Sequence, residues 1–154
     1  MYPTLLVLHS LFRWLVLAGL LYSIYRAYRG LKNNAAFTKA DDRWRHWTAT
    51  IAHIQLVIGF TLYLKSPVVK FFFSSLREAS GHLETLFFGA IHILMMLAAI
   101  TIITIGSAMA KRRQNDPEKF KTMLYWFGLG LLIIFLAIPW PFSPLASRPY
   151  FKYF

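Results

Sequence analysis

Three of the five histidines, His9, His53 and His92, fall inside long apolar runs of the chain. An imidazole at such a position is costly unless it meets a hydrogen-bond partner, a proton path, a metal or a cofactor. One alone is satisfied by a polar contact between helices. Three on three separate runs bring ligand chemistry into consideration. His46 and His82 stand at the ends of runs, where solvation accounts for them. The chain has no cysteine, which excludes disulfides, thiolate metal sites and iron–sulfur clusters within it. No carboxylate lies in the middle of an apolar run, which argues against a di-iron centre and a carboxylate-based ion pump. No nucleotide motif and no nucleophile–base arrangement is present, so a hydrolase is a poor fit.

Depth in the runs decides which histidines can share a ligand. With run centres near Trp14, Gln55 and Met96, His9 lies about five residues and His92 about four residues toward the same face, roughly 7 and 6 Å. His53 lies about two residues, roughly 3 Å, to the opposite side of its centre. His9 and His92 are the matched pair; His53 with His92 is the alternative, reachable by helix tilt. Two imidazoles at one depth on separate helices suit a b-type haem, one axial nitrogen from each side of the iron. Such an iron has no open position and carries electrons rather than activating small molecules. Gly89, one turn before His92 on the same face, would let a flat ring approach, and Met96 shares that face. Ser10 and Thr85 are candidate partners for the ligating imidazoles.

Arg13 follows His9 by one turn on the same face. Its charge calls for an anion, a backbone carbonyl, a water path or the interface. A haem propionate, a quinone oxygen, a lipid phosphate and Glu84 are the options. The metal rival is a zinc or copper site of His9, His53 and His92, which requires His53 to close a depth offset of roughly 10 Å. His46, Thr50 and His53 share one face of the second run. They form either a polar stripe for a small transporter or ligand-binding module, or an ordinary helix–helix seam. The remaining alternative is that all the histidines make structural contacts.

The elements that must hold these residues are membrane-spanning helices. The chain has 154 residues, is 57% hydrophobic and only 15% charged, and its mean hydropathy is +0.48. A soluble domain this small has too little interior for that much apolar surface. Four runs, at about 4–25, 46–64, 84–109 and 120–138, are each long enough to cross a core of roughly 30 Å. Their apolar residues are continuous rather than alternating, which makes a β-barrel a poor fit. The fold class expected is an all-α integral membrane four-helix bundle in one domain, 1–154. Thr38 with Asp41 is a capping box that opens the second helix. Pro67 ends that helix by Lys65. Asp116 is expected to cap the fourth helix, with Pro117 at its first position, and Pro139 ends it. Residues 65–83, with Phe71, Phe72 and Phe73 beside Lys70, Arg77 and Glu78, are the longest connection. They suit a short helix at the membrane surface or a contact with a partner subunit. The tail from Ser143 is aromatic and basic and is expected at the interface.

The formal charge is +11, and its distribution points to a membrane rather than to nucleic acid. Arg26, Arg29, Lys32, Lys39, Arg43 and Arg45 flank the first connection, and Lys111, Arg112, Arg113, Lys119 and Lys121 the third. The opposite side has Lys65, Lys70, Arg77, Arg148 and Lys152. Positive residues favour the cytoplasm, so both termini are expected outside, in the periplasm of a bacterial inner membrane. The N-terminal run has no positive stretch before it and no small-x-small site, so the first helix is expected to stay in the mature chain.

His9 in LHSLFRW, His53 in TATIAHIQL and His92 in GAIHILMM, each within an apolar helix, give the chain a resemblance to small bacterial four-helix b-type cytochromes of the cytochrome b561 style. It also resembles short membrane proteins of Bacteroidetes-like bacteria loosely labelled cytochrome B. The likeness covers most of the chain in topology and rests on single histidines. The b561-like pattern implies two haems with paired histidines on both sides. The second pair is missing here, which leaves one haem per chain unless a homo-oligomer completes another. The resemblance thus implies haem b and lateral electron transfer between a quinone pool, or another subunit, and a partner. The alternative is an accessory or structural subunit of a larger membrane complex.

Overall fold

A computed structural model describes residues 2–144 and 146–150. Helix α1 spans Tyr2–Lys32 and α2 spans Lys39–Lys65. Two short helices come next in the chain, α3 (Pro67–Ser74) and α4 (Leu76–Ala79). Helix α5 covers Leu83–Arg112, and α6 covers Asp116–Ala137. The four long helices, α1, α2, α5 and α6, are each long and apolar enough to cross a membrane. They pack in a ring, α1 on α2, α2 on α5, α5 on α6 and α6 on α1. This is the all-α four-helix bundle expected.

The core is a layer of apolar residues from all four long helices, including Leu20, Ala52, Ile103, Met123 and Phe127. Large apolar side chains also cover the outside. Leu21, Val57, Leu94 and Leu132 are each more than half exposed, a surface suited to lipid rather than water. With lipid outside, helix association relies on close packing, and small residues provide it. The Cα of Gly106 lies against Trp126, and that of Gly130 against Ile103. Any larger residue at either position would push α5 and α6 apart.

A polar layer locks the end of the bundle that carries the two basic connections. The Thr38 hydroxyl accepts from the Asp41 amide while the Asp41 carboxylate accepts from the Thr38 amide, completing the capping box of α2. Asp41 is 1% exposed and also accepts two bonds from Arg26, at 2.7 and 2.9 Å. Ser23 and Thr48 share a buried hydrogen bond of 2.8 Å, and Thr48 donates to the Gly19 carbonyl. Arg45, read from sequence as one charge of a basic connection, is buried instead. Its guanidinium donates to the carbonyl and hydroxyl oxygens of Ser107 at 3.0 and 2.6 Å and pairs with Asp42. A buried charge is tolerated where its donors are occupied in this way.

The opposite end is built by α3, α4 and the returning tail. Ser66 ends α2 and caps α3, accepting from the Val69 amide, with Pro67 at the start of α3. Val69 and Phe72 are buried while Phe71 and Phe73 face out, so the connection 65–83 is largely helical and amphipathic. After α6, Trp140 is buried and donates to the Phe135 carbonyl. The chain then folds back so that the Arg148 amide donates to the Pro139 carbonyl. The start of α6 departs from the expected cap. Asn115, not Asp116, is the capping residue, no side chain bonds the free amides, and Asp116 pairs with Lys119. Lys152 and the last residues of the tail lie outside the described residues.

Candidate functional site

Helix α5 is not uniform along its length. Phe87–Ile91 form a π-helical turn, in which the His92 amide reaches back to the Phe87 carbonyl. Such a turn inserts one residue into the helix and rotates all later positions, and it recurs at functional sites. Two contacts hold it. The Tyr63 hydroxyl of α2 donates to the Gly89 carbonyl at 2.6 Å, and Phe72 of α3 packs over the Gly89 Cα. The space that Gly89 leaves is therefore filled by Phe72. Gly89 does not line the cavity beside His92, which corrects its expected role as the place where a flat ring enters.

His92 stands at the end of this turn. Its Nδ1 is 2.8 Å from the Ala137 carbonyl, the last residue of α6. A carbonyl can only accept, so Nδ1 carries the proton and Nε2 keeps its lone pair. His92 and His9 approach with ring centroids 6.3 Å apart and ring planes at 74°. His9 lies in turn against α2. Gln55 Nε2 donates to the His9 carbonyl at 2.9 Å and stands 3.5 Å from His9 Nε2. A Cβ on Gly59 would lie 2.9 Å from His9 Cε1, so glycine there makes room for the ring. Four helices thus fix two imidazoles: α1 and α5 carry them, α2 seats one, and the end of α6 orients the other.

Both imidazoles line one cavity of about 390 Å³, within the size range of small-molecule sites. Its walls are mainly apolar and include Val16, Leu56, Phe88, Met96 and Ile134. Ser10, Arg13, Gln55, Tyr63 and Arg148 add polar groups, and no lining side chain is acidic. Among the described residues, several polar atoms here are buried without a hydrogen-bond partner: His9 Nδ1, Gln55 Oε1 and Arg13 Nε. Orphaned buried groups are rare because each costs about 1–3 kcal/mol. Their concentration at one cavity marks a place where a ligand would satisfy them.

Arg13 is answered by the tail rather than by Glu84. Its guanidinium donates to the Tyr150 carbonyl and lies over the rings of Trp14 and Trp140, 5.3 and 5.9 Å from their centroids. Glu84 instead pairs with Arg148. Arg148, Gln55 and Tyr63 had no part in the site expected from sequence. Nothing local in the sequence signals that these residues share a cavity.

His53 lies elsewhere. It is exposed, and its Nε2 bonds the Thr104 hydroxyl at 3.0 Å. It does not line the cavity. Among the described residues no group of three or more His, Asp or Glu side chains could hold a metal ion, so a site of His9, His53 and His92 is not assembled. His46 is also exposed, and Thr50 returns its hydroxyl to the His46 carbonyl at 3.0 Å. None of His46, Thr50 and His53 lines this cavity. Thr85 is buried but does not line the site, whereas Ser10 and Met96 do.

The groups present fit a haem iron in kind. Two imidazoles share an apolar cavity, and one of them has a ring nitrogen fixed by a carbonyl, the usual arrangement for a metal ligand. No family model, no curated protein and no solved structure matches the chain.

Proposed function

We propose that the chain is a membrane-embedded electron-transfer protein in which His9 and His92 would hold haem b. The observation that carries this reading is the placement of the two imidazoles in one cavity, centroids 6.3 Å apart. Two imidazoles at one apolar cavity form a donor set suited to a haem iron. Bound there, haem would supply one-electron chemistry. The chain's own residues bind and tune. The Ala137 carbonyl keeps the His92 proton on Nδ1 and raises the basicity of Nε2. Gly59 and Gln55 seat His9. The apolar walls exclude water and so influence potential.

The basic connections at one end of the bundle orient it with those connections in the cytoplasm and both termini in the periplasm of a bacterial inner membrane. The cavity then lies toward the periplasmic side, where a quinone pool or another subunit is the exchange partner. An accessory-subunit reading draws on the exposed Phe71 and Phe73 of α3, 40% and 60% accessible.

The test is an absorption spectrum of protein purified after expression with ample haem. The expected outcome is a low-spin haem b spectrum, lost in His9→Ala and in His92→Ala and retained in His53→Ala. Colourless wild-type protein rejects the proposal and leaves the accessory role.

A further inference from the structure

The cavity carries a charge pattern that the axial histidines do not explain. Arg13 and Arg148 both line it, and none of its lining side chains is acidic. The two arginines differ in how they are satisfied. Arg148 already pairs with Glu84 and lies over the Phe88 ring at 5.0 Å. Among the described residues Arg13 has no ion pair and its buried Nε has no partner, while one terminal nitrogen goes to the Tyr150 carbonyl. A guanidinium offers five donors in a planar fork suited to carboxylate. A half-buried cation beside apolar walls favours an anionic partner. The ligand that fits has an apolar body and an acidic end.

We propose that Arg13, assisted by Arg148, is a carboxylate clamp that takes the propionates of the bound macrocycle and so sets which edge of the ring faces the tail. This rests on the haem reading. Arg13 is one helical turn from His9, so one helix would supply both an axial ligand and an anchor for the acidic edge. Glu84 competes for Arg148, and its removal frees that guanidinium for the ligand.

Apoprotein in detergent is titrated with iron protoporphyrin IX, with its dimethyl ester, which has the same ring and iron but no acids, and with oleate. Wild type is expected to bind the diacid at least tenfold more tightly than the diester. Arg13→Gln is expected to lower that ratio severalfold while diester affinity and the bis-histidine spectrum stay the same. Glu84→Gln is expected to raise the ratio. Equal binding of diacid and diester by wild type overturns the clamp and leaves the haem reading standing. Equal loss of both in Arg13→Gln assigns Arg13 a packing role and also overturns it. Binding of neither porphyrin by wild type removes the haem reading, and the clamp with it. Oleate bound more tightly than the diacid, through Arg13, overturns the assignment to propionates.

Discussion

At the scale of single residues, the site depends on side chains that position imidazoles as much as on the imidazoles themselves. Gly59 is the clearest case. A methyl group there would sit 2.9 Å from His9 Cε1 and 3.2 Å from Nδ1. The ring is the end of a side chain and can rotate away, so the helices need not move. If the chain holds haem as proposed, Gly59→Ala is therefore expected to weaken its binding while helical content by circular dichroism is unchanged. Equal haem affinity in this variant would mean that the His9 rotamer at the cavity is not the ligating one. Arg45 shows the reverse relation between residue and fold. It is 4% exposed and spans from α2 to Ser107 of α5. Arg45→Ala leaves Ser107 and Asp42 without their donor and removes packing of the stem. A cost of about 2–4 kcal/mol is expected, measured by thermal or SDS-induced unfolding in micelles.

At the scale of elements, two devices set how the helices start and meet. The capping box at Thr38 satisfies amides that α2 cannot satisfy internally. Thr38→Ala should cost about 1 kcal/mol, a fall in melting temperature of roughly 2–4 °C for a chain of this size. The contact of α5 with α6 depends on the bare Cα of Gly106 beneath Trp126. Gly106→Leu is expected to destabilise by at least about 1–3 kcal/mol. On the proposed haem reading it should also reduce haem retention, because α6 carries the Ala137 carbonyl that orients His92. The π-helical turn belongs to this scale too. It lies in α5, yet its contacts come from Tyr63 of α2 and Phe72 of α3.

At the scale of the whole molecule, the four-helix ring puts both described chain ends on one side and the basic connections on the other. The absence of cysteine makes this directly testable by single-cysteine labelling. Asn33 lies in the connection between α1 and α2, and Ser80 comes directly after α4; both are exposed. In intact spheroplasts a membrane-impermeant maleimide should label Ser80→Cys but not Asn33→Cys, with Asn33→Cys labelled after permeabilisation. The opposite pattern would invert the proposed orientation and place the cavity near the cytoplasmic face. In either case the cavity is off centre, because α6 ends at Ala137 beside His92.

Sequence alone determined the features that depend on local chemistry or on periodicity with respect to one apolar phase. Continuous apolar runs required helices in lipid, the pairing of Thr38 with Asp41 located the start of α2, and Pro67 located its end. Depth counted along each run singled out His9 and His92, since rise per residue is nearly constant in a helix. Features that depend on how helices rotate and on which groups fill the gaps between them were decided only by the tertiary structure. The π-helical turn in α5 changes the phase of everything after it, and no residue type marks it. The burial of Arg45 depends on a hydroxyl in another helix, and the filling of the space at Gly89 depends on Phe72 from a connection read as a surface segment. His53 is as polar as His92 in the sequence. It faces outward toward Thr104 because the ring order of the helices, not the composition of α2, sets which side of α2 meets the cavity.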